Sequence, residues 1–294
     1  MSAAKQFGPV TTPGDWWQLI RPRILGLVLL TMTAAILTAG ERPPAWPVFV
    51  HALAGSGLLI AGAIALNQRL ELRSDAKMRR TGPRPLPSGR LSVRQATWFG
   101  ILASAAGIGW LALALPPVVA LVGLVSWIVY VWLYTPLKLL SAWQTPLGAL
   151  AGAAPVVMGA AATGAPGSIP ALTLFGIVYF WQFPHAMAVA WLCREDFAAA
   201  GLKVAAVIDL SGRIAAAVSL LGAVLLVPVS LAPAWAGVTG WGYALVASIL
   251  GLGYLACSAA FFVRTGERTA RTLLRCSLVY LPAMCAALLV GRLM

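Results

Sequence analysis

The chain has 294 residues, 60% of them apolar and only 10% charged, with a net charge of +13 and a mean hydropathy of +0.87. That balance excludes a soluble domain, whose surface needs far more polar side chains, and makes the protein a polytopic membrane protein. It also excludes a disulfide scaffold, because Cys193, Cys257, Cys276 and Cys285 lie in or beside apolar runs without CxxC spacing and read as packing residues.

The first 23 residues carry Lys5, Asp15, Arg21 and Arg23 and lack the apolar core of a signal peptide. Nine apolar runs follow, each near the roughly 20 residues needed to cross about 30 Å of hydrocarbon as helix. In order they cover 24–40, 47–66, 97–115, 118–136, 146–164, 168–192, 214–232, 238–263 and 273–291. The runs are continuous rather than alternating, so backbone hydrogen bonds close inside helices and the fold class is all-α. The longest segment outside them, between the second and third runs, is about 30 residues, below the size of a separate soluble domain.

That segment begins at the end of the second run as AIALNQRLELRSDAKMRRTGPRPLPSGR. Asn67, Glu71 and Asp75 recur every four residues, which on a helix puts three oxygen-bearing side chains on one stripe about 12 Å long. Hard oxygen ligands at a membrane boundary suit Mg²⁺ shared with a substrate phosphate, because magnesium is held by one or two carboxylates plus phosphate oxygens. Arg79, Arg80 and Arg84 supply guanidinium groups that grip phosphate bidentately. The same residues admit a plainer account, a solvated helix end in which Glu71 and Asp75 pair with Arg73 and Arg79 while the arginines anchor to lipid headgroups.

A second acidic segment, WQFPHAMAVAWLCREDFAAAGLK, leaves the sixth run with Glu195, Asp196 and Lys203. Two acid-bearing loops on one face can clamp a diphosphate through metal ions. Inside that run His185 follows Pro184, and an ionisable side chain in a span is either functional or a satisfied packing residue. His51, near the far end of the second run, reads as structural.

With a cytoplasmic N-terminus, every Lys and Arg except Arg42 and Arg292 falls on the cytoplasmic face, as does every acidic residue except Glu41. This positive-inside bias explains the net charge through topology and attraction to membrane lipid, and implies no nucleic-acid partner. Residues 1–23, 67–96 and 193–213 then lie on the cytoplasmic side, the last two as active-site loops, and the C-terminus lies outside. Arg94, Arg268 and Arg271 belong to the topological set.

Asn67, Glu71, Asp75 and the run MRRTGPRPLPSGR resemble the first motif of the UbiA-type membrane prenyltransferases. Met78, Arg80, Thr81, Arg84, Pro85 and Leu86 are similar to a string of the haem O synthases within that family, as are WQFPH, the Asp196-Phe197 and Ala200-Gly201 pairs and YTPLK at 134–138. The matches run from Arg21 to about Arg213. The resemblance implies one domain over 1–294, with nine helices around a central intramembrane cavity in a cell inner membrane. It implies Mg²⁺-dependent transfer of a farnesyl group from farnesyl diphosphate to the 2-vinyl group of haem B, forming haem O for terminal oxidase biogenesis.

It further implies Mg²⁺ on Asn67, Glu71, Asp75 and Asp196, with Lys203 in the catalytic set. Arg79, Arg80, Thr81, Arg84 and Lys138 would meet the diphosphate, and Tyr130, Tyr134, Phe180, Trp181 and Phe183 would shield an allyl cation with their faces. Arg21 or Arg23 would meet the haem propionates, and His185 would stand at the haem pocket as a candidate iron ligand. A haem A synthase or a terminal oxidase assembly factor is the implied protein partner. The chain departs from the family pattern at Glu71, where Asp is usual, at Leu139, where a basic residue is usual, and at Ala160 and Ala186, where aromatics are usual. Those departures keep a quinone-precursor or chlorin acceptor as an alternative. A multi-span transporter is the alternative of another class, and it would need ionisable residues at mid-membrane or broken helices paired between two halves.

Overall fold

The computed structural model describes residues 11–42 and 44–293, so Lys5 of the expected cytoplasmic set lies outside them. Prolines set where several helices begin. Pro22, Pro47, Pro117 and Pro170 each sit in the first turn of a long helix, where the missing N–H would have had no partner and the fixed φ suits helical entry. Among the described residues nine helices are long and apolar enough to cross a membrane: Pro22–Ala39, Trp46–Leu70, Val93–Ala114, Pro117–Leu137, Gln144–Ala162, Ile169–Leu192, Arg213–Trp235, Trp241–Val263 and Glu267–Arg292, called spans 1 to 9 below. No strand occurs among those residues, and each span overlaps its expected run.

Two spans begin four or more residues earlier than the apolar pattern predicts. Span 3 starts at Val93 because Ser92 and Gln95 form a reciprocal capping box, with bonds of 3.1 and 3.0 Å, ahead of the apolar run. Span 9 starts at Glu267, where an ion pair of 3.1 Å to Arg271 closes a charged first turn. Apolarity locates the hydrocarbon, whereas these helices continue past it into the headgroup layer.

Spans 2 to 9 pack in chain order, and span 1 closes the bundle by touching spans 2, 5, 6 and 9. Small residues make the closest approaches. A Cβ on Gly62 would collide with the Ser104 hydroxyl and stand 2.6 Å from its backbone N, and one on Gly107 would stand 2.5 Å from the Leu59 backbone N. Spans 2 and 3 therefore pack backbone to backbone, the mode available where lipid removes the hydrophobic drive for helix association. Large apolar side chains such as Leu113 and Trp241 face outward, each 92% exposed in the absence of acyl chains.

The charged segments gather at one end. Buried Asp15, in the short helix Pro13–Leu19, accepts from Arg90 Nε at 2.8 Å and from the Thr12 backbone at 2.9 Å. The Arg90 hydrogen bond, aided by those from Thr12, holds the Asp15 pKa down at about 2. Gln68 of span 2 donates to the Leu19 carbonyl, so the N-terminal helix, span 2 and the loop before span 3 form one unit. At the opposite end Arg292 donates to the Gly40 carbonyl at 3.5 Å, two residues from Arg42.

Candidate active site

A cavity of ≈ 690 Å³ opens at the charged end and runs between spans 1, 2, 4, 5, 6 and 9. Its mouth carries Arg21, Arg23, Glu71, Asp75, Arg80, Arg84 and Lys138, while Leu59, Met158, Val178 and Leu281 make its depth apolar. The volume falls within the roughly 300–1,000 Å³ usual for ligand sites.

Span 2 supplies one wall. The helix relaxes at Glu71 and resumes as the short helix Leu72–Asp75, yet Glu71 N–H still donates to the Asn67 carbonyl at 2.9 Å and Asp75 N–H to the Glu71 carbonyl at 2.7 Å. The four-residue spacing survives, and the three side chains keep one face.

Span 4 supplies the facing wall and contains a π-helical turn over Val129–Tyr134. Pro136 has no N–H for the Trp132 carbonyl, so the ladder shifts, and Thr135 N–H donates to the Tyr130 carbonyl five residues back. The Thr135 hydroxyl gives its one proton to that same carbonyl at 2.8 Å and must therefore accept from Asn67 Nδ2, also at 2.8 Å. This fixes the orientation of the amide. Asn67 Oδ1 is left buried without a hydrogen-bond partner among the described residues, an arrangement that calls for a ligand.

The mouth is crowded with cations. Lys138 Nζ lies 2.5 Å from Glu71 Oε1 and 4.3 Å from the centre of the Tyr134 ring, which stacks on Tyr130 at 5.5 Å. Burial pulls the Lys138 pKa down, but Glu71 and the two phenols outweigh it and hold the ammonium above the ordinary lysine value. Arg84 Nη1 meets Asp75 Oδ2 at 2.7 Å. Burial first, and then the neighbouring Arg21, press the Arg84 guanidinium below its usual value. Arg21 itself adopts a left-handed conformation (φ 48°, ψ 67°) ahead of Pro22, and its Nε and Nη2 are buried without hydrogen-bond partners among the described residues. Cations held this close, one of them on a strained backbone, make an anion site.

Span 6 closes the cavity with Trp181 and His185, one turn apart and stacked at 4.8 Å. Trp181 Nε1 donates to the Ser277 carbonyl of span 9 at 2.8 Å, and His185 Nδ1 lies 2.8 Å from Ser277 Oγ.

Residues 28–288 match the UbiA prenyltransferase family model. The chain belongs to that family. A relative from Solibacter usitatus named protoheme IX farnesyltransferase is 36% identical over 287 residues, covering 95% of this chain and 98% of its own. The solved digeranylgeranylglyceryl phosphate synthase superposes with a TM-score of 0.78 at 14% identity, over 95% of this chain and 98% of that one. A UbiA homologue from Archaeoglobus fulgidus bound to DMAPP and Mg²⁺ gives a TM-score of 0.63 at 16% identity, over 93% and 99%. The shared UbiA fold accounts for nine spans around one cavity, and the transporter alternative loses its basis.

Within this UbiA fold, Arg23, Glu71, Asp75, Arg80, Arg84, Tyr134, Lys138, Trp181 and His185 line the same cavity, with Asn67 buried beside it. Besides Asn67, six expected residues do not line it: Arg79, Thr81, Phe180, Phe183, Asp196 and Lys203. Asp196, the fourth oxygen of the expected metal set, accepts from Arg79 Nε at 3.1 Å and from the Arg80 backbone N–H at 3.3 Å. The Arg79 hydrogen bond also keeps the Asp196 carboxyl below its ordinary pKa. Among the described residues no three His, Cys, Asp or Glu side chains group to hold a metal. Arg79 spans the two loops, reaching Glu195 at 3.3 Å, and is exposed. Thr81 spends its hydroxyl on the Asp75 carbonyl at 2.7 Å and is fully buried. Lys203 is tied to the site only by its backbone N–H, which donates to the Lys138 carbonyl at 2.8 Å, while its side chain is exposed.

Of the family departures, Glu71 and Ala186 line the cavity, Ala160 packs in a separate small cluster with Ala39 and Ala171, and Leu139 is exposed. Sequence reasoning missed Thr135 and Ser277. Pro136 was a usable signal for the first; nothing local marks the second.

Proposed function

We propose that this UbiA prenyltransferase moves a farnesyl group from farnesyl diphosphate to the 2-vinyl group of haem B, releasing diphosphate and forming haem O. One observation carries the reading: cations crowd the mouth of a cavity whose depth is apolar, and both substrates are apolar bodies with anionic ends. The name of the Solibacter relative supports the acceptor, and the DMAPP and Mg²⁺ of the Archaeoglobus homologue support the donor class and the metal. In this reading the chain is one domain over 1–294 in a cell inner membrane, its lysine- and arginine-rich end facing the cytoplasm.

Breaking the C1–O bond of the donor leaves negative charge on the departing diphosphate, and Arg21, Arg80, Arg84 and Lys138 hold it. Asn67 Oδ1, Glu71 and Asp75 fit Mg²⁺, which when bound neutralises part of that charge. Tyr130 and Tyr134 offer π faces to the allyl cation, and the apolar walls keep water from it. The terminal vinyl carbon bonds to C1; water then adds to the carbon beside the macrocycle and loses a proton. No side chain acts as nucleophile. Arg23, exposed at the mouth, serves a haem propionate.

Mass spectrometry of haems extracted from purified protein in lipid, given haem B, farnesyl diphosphate and Mg²⁺, tests the reading. The expected product is farnesylhydroxyethyl haem, lost when a chelator is added. Haem B returned unchanged beside turnover of a quinone precursor or a chlorin would move the acceptor and leave the diphosphate chemistry standing. The aiming of Asn67 by Thr135 gives a second expectation. Thr135→Val should raise the Mg²⁺ concentration for half-maximal rate by about 10–100-fold, the usual cost of losing an outer partner of a ligand, while Thr135→Ser stays close to wild type. An unchanged Mg²⁺ dependence in Thr135→Val would remove Thr135 from that role.

A further inference from the structure

We infer that Ser277 is a positioning residue that fixes the His185 tautomer, so that Nε2 presents a lone pair to the cavity as the ligand for a porphyrin iron. The inference rests on the acceptor reading above and deepens it. Ser277 is fully buried on span 9, and its hydroxyl donates to the Leu274 carbonyl one turn back at 2.6 Å. A serine has a single hydroxyl proton, so only lone pairs remain for His185 Nδ1 at 2.8 Å. Nδ1 must therefore carry the proton, and the neutral ring keeps its lone pair on Nε2, the atom with no hydrogen-bond partner among the described residues on a side chain that lines the cavity.

The ring is held on its other side as well. Trp181 stacks on it with 23° between planes and donates to the Ser277 carbonyl, so one residue of span 9 grips both members of the Trp181 and His185 face. Tyr254 of span 8 donates to the Trp181 carbonyl at 3.1 Å and stacks on Tyr280, which ties the grip into the core. A packing serine needs only its back-bond to its own helix. Here the hydroxyl has a second, directional contact with the one titratable ring at the cavity wall of span 6. A neutral imidazole with Nδ1–H engaged and Nε2 open is the form that binds iron, and the partner at Nδ1 sets ring orientation and donor strength.

The test is resonance Raman of purified full-length protein in lipid loaded with ferrous haem B, read at the iron–histidine stretch, with haem affinity measured by titration. Wild type should show the mode and His185→Ala should lose it. Ser277→Ala should keep the fold by thermal unfolding, move the mode to lower frequency and weaken haem binding about 10-fold or more. Ser277→Thr, which retains the hydroxyl, should restore both. If Ser277→Ala does not fold, Ser277→Cys keeps the volume with a far weaker hydrogen-bonding group and carries the comparison with Ser277→Thr. A mode that persists in His185→Ala, or one identical in wild type and in the variants lacking the hydroxyl, overturns the inference. Haem O formed by a protein without any iron–histidine mode also overturns it and leaves the proposed function intact. The mode present and Ser277-dependent, with haem B never farnesylated, supports the ligation and takes down the acceptor reading.

Discussion

Asn67→Ala and Asp75→Asn should each cut prenyl transfer by about 10²–10³-fold or more, the usual effect of removing one group that stabilises charge developing in the transition state. The two act by different routes. Asn67→Ala removes the one buried amide oxygen that Thr135 leaves without a partner. Asp75→Asn keeps the shape and an oxygen for Arg84 but takes away a charge, in a mouth where Arg21, Arg80 and Arg84 already outnumber the carboxylates. Initial rates across a Mg²⁺ titration, beside thermal unfolding of the same samples, separate lost chemistry from lost fold. Retained Mg²⁺-dependent turnover in a folded variant would sink the assignment of that residue.

Lys138→Met should be costly twice over. Glu71 and Lys138 are only 12% and 18% exposed, and leaving such a carboxylate without its cation costs about 3–5 kcal/mol. Transfer should also fall by about 10²-fold, because the ammonium is one of the cations set to meet the diphosphate. The double variant Glu71→Gln with Lys138→Met distinguishes the two losses: it should regain most of the stability, since no unpaired charge is left behind, and none of the rate. If the single variant unfolds like wild type and turns over normally, Lys138 is a topological charge and nothing more.

The spans were legible because hydrocarbon demands a uniform composition over about 20 residues, and that is a local property. The Asn67, Glu71 and Asp75 stripe was legible for the same kind of reason, its periodicity being short enough for one helix to preserve. Less legible was which group a side chain chooses once the chain is folded. The resemblance implies a metal role for Asp196, and nothing local announces that Arg79, 117 residues away, also reaches it. Thr81 read as a phosphate contact, but the turn folds its hydroxyl onto the Asp75 carbonyl. Ser277 carries no local mark, since its meaning depends on a ring 92 residues away. Early helix starts at Val93 and Glu267 were hidden by polar first turns, which capping chemistry explains and hydropathy does not.

The wide turn at Val129–Tyr134 has a consequence for how the family can vary. A π turn is equivalent to one residue spliced into an α-helix, and each residue of a regular helix advances the chain by about 100°. Everything after it is therefore out of phase with everything before it, and in that new phase Lys138 faces Glu71. The cation opposite Glu71 is thus specified by the length of the chain ahead of Pro136 as much as by its own identity. A relative with the same letters and one residue fewer there would turn its lysine about 100° away from Glu71.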